Sequence, residues 1–141
     1  GHRELVQAAE IVLRRIPTAQ FWCFGEGPLR PELEQAVREL GIADRFKVFV
    51  AAREAGHAKP DAPIFHATCD RLGLAPHEVL HVGDDPLLDV AGAAWAGLRT
   101  CWINRRDESW PDGLPAPDLQ FTTLDALADW LEAKHPAMER A

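Results

Sequence analysis

The residues best suited to chemistry lie in one short run, Gly83-Asp84-Asp85-Pro86-Leu87-Leu88-Asp89. Two adjacent carboxylates, with a third four residues on, offer the oxygen donors that hard cations such as magnesium take. Lys59, in Ala58-Lys59-Pro60-Asp61, is placed to neutralise a phosphate or to orient a carboxylate of that set. The turn Gly25-Glu26-Gly27 is a second candidate, because its glycines permit unusual backbone angles and let main-chain N–H groups approach an anion. Gly25, Gly27 and Lys59 are therefore the candidate ligand-binding residues, and Asp84, Asp85 and Asp89 the candidate metal-binding ones. His81 lies inside an apolar stretch and reads as a hydrogen-bonded core histidine rather than a general base.

These residues need a scaffold, and the apolar periodicity supplies one. Leu5, Ala8, Ala9, Val12 and Ile16 form one helical stripe, which Pro17 stops. Phe21-Trp22-Cys23-Phe24 reads as a buried strand entering the Gly25 turn. Pro31 suits the first turn of a second helix with Leu33, Val37 and Leu40 on one face, and Gly41 supplies a left-handed C-terminal residue. Phe46 to Val50 is the next strand. The unit then repeats: a helix from Asp61 to Gly73, a strand at Val79-Leu80-His81-Val82, a small-residue helix from Leu87 to Ala96, and a strand at Thr100-Cys101-Trp102-Ile103. Three prolines, Pro111, Pro115 and Pro117, exclude regular structure between Asn104 and Asp118. Leu119-Gln120-Phe121 gives a short fifth strand, and Leu124, Leu127 and Leu131 mark a last helix that frays from His135.

Strands alternating with helices predict an α/β fold: a three-layer, doubly wound parallel sheet of four or five strands, Rossmann-like or flavodoxin-like, in the order 2-1-3-4(-5). Ligands of such sheets sit at the carboxyl ends of the strands. Both the Gly25 turn and the Gly83 loop occupy that position.

Composition narrows the partners. The 141 residues suffice for a single core, and 15 Lys and Arg against 22 Asp and Glu leave a formal net charge of −7. That balance argues against nucleic acid, whose phosphates need clustered basic side chains. No apolar run is long enough to span a membrane, and no signal-peptide core is present at the start, so a cytoplasmic protein without a membrane partner is expected. Cys23, Cys69 and Cys101 lie far apart and read as buried thiols. Trp95, Trp102 and Trp130 are expected to pack, and Trp110, in the proline-rich loop, is the one whose exposure would mark a contact surface.

Ala58-Lys59-Pro60-Asp61-Ala62-Pro63-Ile64-Phe65, His81-Val82-Gly83-Asp84-Asp85-Pro86-Leu87-Leu88-Asp89-Val90-Ala91-Gly92-Ala93 and Ala96-Gly97-Leu98-Arg99-Thr100 closely resemble the third and fourth motifs of haloacid-dehalogenase-like phosphatases. The resemblance implies that Lys59 steadies the phosphoryl group and the nucleophile. It also implies that Asp84 and Asp85 serve magnesium, with Asp89 in support. Gly1 to Val6, Phe24 to Glu34 and Leu40 to Arg45 look instead like the start of the nucleotide-binding domain of retaining glycosyltransferases of the GT-B fold. On these resemblances residues 1–45 are glycosyltransferase-like, 46–134 dehalogenase-like, and 135–141 a frayed tail of one α/β domain, with a splice near Gly41 to Val50.

The Asp-x-Asp pattern that carries the phosphatase family's nucleophile and general acid occurs nowhere in the 141 residues. The expectation from sequence is thus a non-catalytic domain, an engineered or recombined chimera with no catalytic residues and a vestigial acidic site that holds magnesium weakly. It would be a monomer, or a homodimer through an exposed sheet edge. Two alternatives stand beside it: a haloacid-dehalogenase-like phosphatase hydrolysing phosphoric monoesters, and a module binding a nucleotide or other small ligand in the crevice between the two loops.

Overall fold

The structure is a computed structural model that describes residues 2–24, 30–49 and 56–134. They divide into two compact units. One holds the described residues up to Phe49 together with those from Leu124 onward, and the other runs through Thr123.

The first unit begins with helix α1 (His2–Arg15), strand β1 (Phe21–Phe24), helix α2 (Arg30–Glu39) and strand β2 (Phe46–Phe49). Its last element is helix α5 (Leu124–Lys134). Of the stripe read from α1, Ala8, Ala9, Val12 and Ile16 are buried as the spacing requires, and Val6, which was not part of it, is buried beside them. Val6 and Ala9 pack with Leu33 and Val37 of α2, while Val12 and Ile16 pack with Ala128 of α5. Leu40, expected in the α2 stripe, is 42 % exposed, because α2 stops at Glu39 and the chain turns away through Gly41 at φ +71°. The two strands run parallel, Phe21 opposite Phe46 and Phe24 opposite Phe49.

The second unit carries helix α3 (Ala62–Leu72), strand β3 (Leu80–Gly83), a π-turn (Pro86–Ala91) continuing into helix α4 (Gly92–Trp95), strand β4 (Arg99–Ile103) and strand β5 (Leu119–Phe121). β3, β4 and β5 form a parallel sheet in that order, with Gly83 opposite Trp102 and Ile103 opposite Phe121. The α/β character and parallel pairing agree with the sequence reading. The described strands, however, hydrogen-bond as two ladders, β1-β2 and β3-β4-β5, where that reading drew one sheet in the order 2-1-3-4(-5).

The expected helix from Leu87 to Ala96 also differs. Its first part is wide because the Asp85 carbonyl accepts from both Asp89 N and Val90 N, and the latter bond is the i to i+5 spacing of a π-turn. The segment 104–118 is irregular but tied down. The Asn104 side chain bonds Glu108 N and O, and Asp118 Oδ2 accepts from the Thr100 N–H at 2.8 Å and its hydroxyl at 3.3 Å. Trp102 is buried and Trp110 meets it edge to face at 4.9 Å, so Trp110 is a packing residue. Trp95, expected to pack, is instead 56 % exposed. Cys69 and Cys101 are free buried thiols, and burial pushes the Cys101 thiol up to about 12, which leaves it unreactive. Among the described residues no helix is long and apolar enough to cross a membrane.

One contact sets the spacing of the second unit. Gly92 starts α4 against the backbone of Pro60, and a Cβ there would lie 2.9 Å from Pro60 Cα and 3.0 Å from Phe65 Cε2. Alanine for glycine inside a helix ordinarily gains about 1 kcal/mol. Here the collision is with backbone, which has no rotamer to escape into. Gly92→Ala should therefore lower the unfolding free energy in urea by about 1–3 kcal/mol, the usual range for overpacking. An unchanged or raised midpoint would show that α4 is not seated on Pro60.

Candidate active site

β3 ends in Gly83 and delivers the acidic residues at its carboxyl edge. Asp85 caps the π-turn: its Oδ1 accepts from Leu87 N at 2.9 Å and Leu88 N at 2.7 Å, which fixes the side chain and leaves its second oxygen. Asp84 is exposed, and its carboxylate has no protein partner among the described residues. Asp89, one turn further on, is buried beneath the loop.

Both oxygens of Asp89 are engaged. Oδ1 forms a close ion pair with Lys59 Nζ and lies 3.5 Å from His81 Nε2, while Oδ2 accepts from the Asp85 main-chain N–H at 3.1 Å. Burial opposes ionisation of this carboxyl. The hydrogen bond from His81 and the charge and hydrogen bond of Lys59 outweigh it and hold Asp89 well below the usual carboxylate range. Gly83 is what allows the approach, because a Cβ on it would occupy the place of the Asp89 side chain. His81 is 7 % exposed and sits edge-on to Phe65 at 5.2 Å, the packed histidine that the sequence implies.

The structure thus brings Lys59, Asp85, Asp89 and His81 together around one buried carboxylate and leaves Asp84 facing solvent. Lys59 keeps further N–H donors beyond the one given to Asp89. Gly25 and Gly27 lie outside the described residues. Among the described residues no group of three or more acidic, histidine or cysteine side chains converges as a metal cage. Asp84 and the second oxygen of Asp85 remain as adjacent donors, a set suited to magnesium, which commonly takes one or two carboxylates and fills its octahedron with water and phosphate oxygens. Two contributors escaped sequence reasoning. Gly92 seats the acidic segment on the Lys59-Pro60 turn, and the Trp102 indole donates from Nε1 to the Asp84 carbonyl at 3.0 Å. The latter follows from the register of the ladder, in which Trp102 lies opposite Gly83, and no local pattern in the sequence carries it.

The second unit thus has a parallel α/β sheet whose β3 ends in an acidic loop, with Lys59 held to Asp89 of that loop. Comparison with known proteins supplies the class. A model of the haloacid dehalogenase-like hydrolase family matches residues 4–97, and the chain belongs to that family. It is 31 % identical over 105 residues to the 5-amino-6-(5-phospho-D-ribitylamino)uracil phosphatase YigB of Escherichia coli, covering 72 % of this chain and 41 % of that protein. It is 39 % identical over 86 residues to the phosphoserine phosphatase of Thermus thermophilus, covering 60 % of this chain and 33 % of that one. Among solved structures, the 2-haloacid dehalogenase of Pseudomonas syringae superposes with a TM-score of 0.69 at 29 % identity, over 89 % of this chain and 51 % of that one.

These findings overturn the chimera. The family match begins at residue 4 and spans both the supposed glycosyltransferase-like segment and the splice at Gly41 to Val50. A helix, a strand, a glycine turn and a helix recur across α/β folds, so the Gly25-Glu26-Gly27 turn carried little information on ancestry. The expectation of a non-catalytic, engineered domain falls with it. The chain spans less than half the length of these two curated relatives, so the missing Asp-x-Asp pattern and the length itself say nothing against catalysis.

Since the folded Asp89 pKa is the lower one, the stabilisation it brings is complete above the unfolded carboxyl value of about 4 and is lost as pH falls from there toward the folded value. Asp89→Asn should cost about 2–4 kcal/mol at pH 7, because it leaves Lys59 half-buried without a counter-charge. Denaturation curves at pH 7 and pH 3 check the sign: the gap between wild type and variant should narrow in acid. A gap that stays constant would contradict the depressed Asp89 pKa.

Proposed function

We propose that this chain forms part of a magnesium-dependent phosphatase that hydrolyses small phosphoric monoesters. The observation that carries the reading is the division of labour among the carboxylates. Asp89 is neutralised within the protein by Lys59, while Asp84 and one oxygen of Asp85 are left for a cation at the strand end. Magnesium bound there would offset the charge of the phosphoryl oxygens. Lys59, fixed by Asp89, offers its remaining N–H donors to the same phosphoryl group. The Asp85 cap and the Asp89 bond to the Asp85 N–H hold the acidic loop in one geometry, so the donors need no reorganisation when substrate arrives. No residue among these 141 is assigned the nucleophile's role.

The names of the relatives support phosphate ester chemistry, since those quoted act on a phosphoribityl compound and on phosphoserine. A second reading, hydrolysis of a 2-haloacid, is favoured by the Pseudomonas syringae structure and by 28 % identity over 100 residues to a Pseudomonas (S)-2-haloacid dehalogenase. Removal of halide places no comparable demand on paired carboxylates. The intact protein, assayed with an aryl phosphate and with 2-chloropropionate, each with and without magnesium, separates the two. Magnesium-dependent release of phosphate is expected, with kcat/KM falling at least about 100-fold in Asp84→Asn, the loss of several kcal/mol of charge stabilisation. Halide release that ignores both magnesium and Asp84 would replace this reading with the second.

A further inference from the structure

Asp84 and Asp85 share one peptide unit, and both of its polar ends are taken by residues from other elements. Its carbonyl, that of Asp84, accepts from the Trp102 indole on β4 at 3.0 Å. Its N–H, that of Asp85, donates to Asp89 Oδ2 on the π-turn at 3.1 Å. A peptide plane has little freedom once both ends are bonded, and the two side chains that leave it are directed by its orientation. We infer that Trp102 is a positioning residue for the cation-binding pair: its indole N–H sets the rotation of the Asp84–Asp85 peptide and thereby the aim of the two carboxylates. The inference rests on the proposed role of those carboxylates toward magnesium.

The physical reason for a tryptophan here is that the bond is not optional. Trp102 is 2 % exposed, so its N–H has no water to fall back on. Any rotation of the Asp84–Asp85 peptide that turned the carbonyl away would strand a buried donor. The indole is itself held. Gly83 faces Trp102 across the ladder, Trp110 packs on it edge to face, and the Trp110 N–H is tied to the Leu114 carbonyl at 3.2 Å. The proline-rich loop after β4, which no chemistry in the site otherwise uses, therefore acts through Trp102 on the acidic loop, whose Asp84 lies eighteen residues before Trp102. Outer-shell hydrogen bonds of this kind typically change metal affinity about 10- to 100-fold when removed.

The test is Trp102→Phe in the intact protein, which keeps an aromatic ring and deletes the donor. Magnesium affinity is followed through the main-chain amide signals of Gly83 to Asp85 in a ¹⁵N-labelled sample titrated with magnesium chloride. The expected result is an affinity about 10-fold weaker than wild type. A KM for substrate that moves less than the magnesium requirement would accompany it. A folded variant with wild-type magnesium affinity overturns the inference and leaves the proposed function standing. A wild-type protein whose amides ignore magnesium overturns the proposed function, and this inference with it. Should Trp102→Phe fail to fold, the wild-type indole N–H signals decide instead. Magnesium must shift the indole of Trp102, and a Trp102 signal as indifferent to magnesium as that of exposed Trp95 overturns the inference.

Discussion

A buried carboxylate between a lysine and a histidine organises the carboxyl edge of β3. Asp89 reaches Lys59 before α3, His81 inside β3 and the Asp85 N–H in the acidic loop, so a single side chain ties the acidic loop to its own strand and to a segment thirty residues earlier in the chain. Burying a charge is costly unless it is paired and its lone pairs are satisfied, and here both conditions hold. The consequence is directional. Because Asp89 is committed inward, Asp84 is free to face outward, and the loop presents one neutralised and one available acidic group within a few residues.

Two glycines make the arrangement sterically possible. Gly83 leaves the room that the Asp89 side chain fills, and Gly92 lets α4 rest on the backbone of Pro60, directly after Lys59. The π-turn does the rest, since its wide first turn brings Asp89 back beneath the loop that Asp85 caps. Rigidity is thus built from the backbone outward. The small residues set the distances, the cap fixes Asp85, and the ion pair then has only one place to form.

Much of this was legible in the sequence. The stripe of Ala8, Ala9, Val12 and Ile16 marked the buried face of α1, and the pairing of Lys59 with the run from Gly83 to Asp89 is the one that the structure shows at Asp89. Those signals are local, carried by residue type and spacing. What was not legible depends on tertiary approach: the Trp102 bond to Asp84, the seating of Gly92 on Pro60, and the exposure of Trp95. The reading of the first third as glycosyltransferase-like failed for a related reason. A glycine turn between a strand and a helix reports on backbone geometry shared by many α/β proteins, and the family match shows that residues from 4 onward belong with the rest. The absence of a nucleophile motif misled similarly, because a chain covering 41 % and 33 % of its relatives cannot be asked to hold every motif they use.

The ion pair holds the acidic loop only if Lys59 and Asp89 are coupled, and a double-mutant cycle measures that coupling directly. Lys59→Met, Asp89→Asn and the double variant, compared with wild type by urea denaturation at pH 7, give the interaction energy free of each residue's separate contributions. A coupling of about 2 kcal/mol or more is predicted for a pair this close and this shielded from water. Additive losses, with no coupling beyond about 0.5 kcal/mol, would mean that the two side chains do not depend on one another and that something other than this ion pair holds the acidic loop in place.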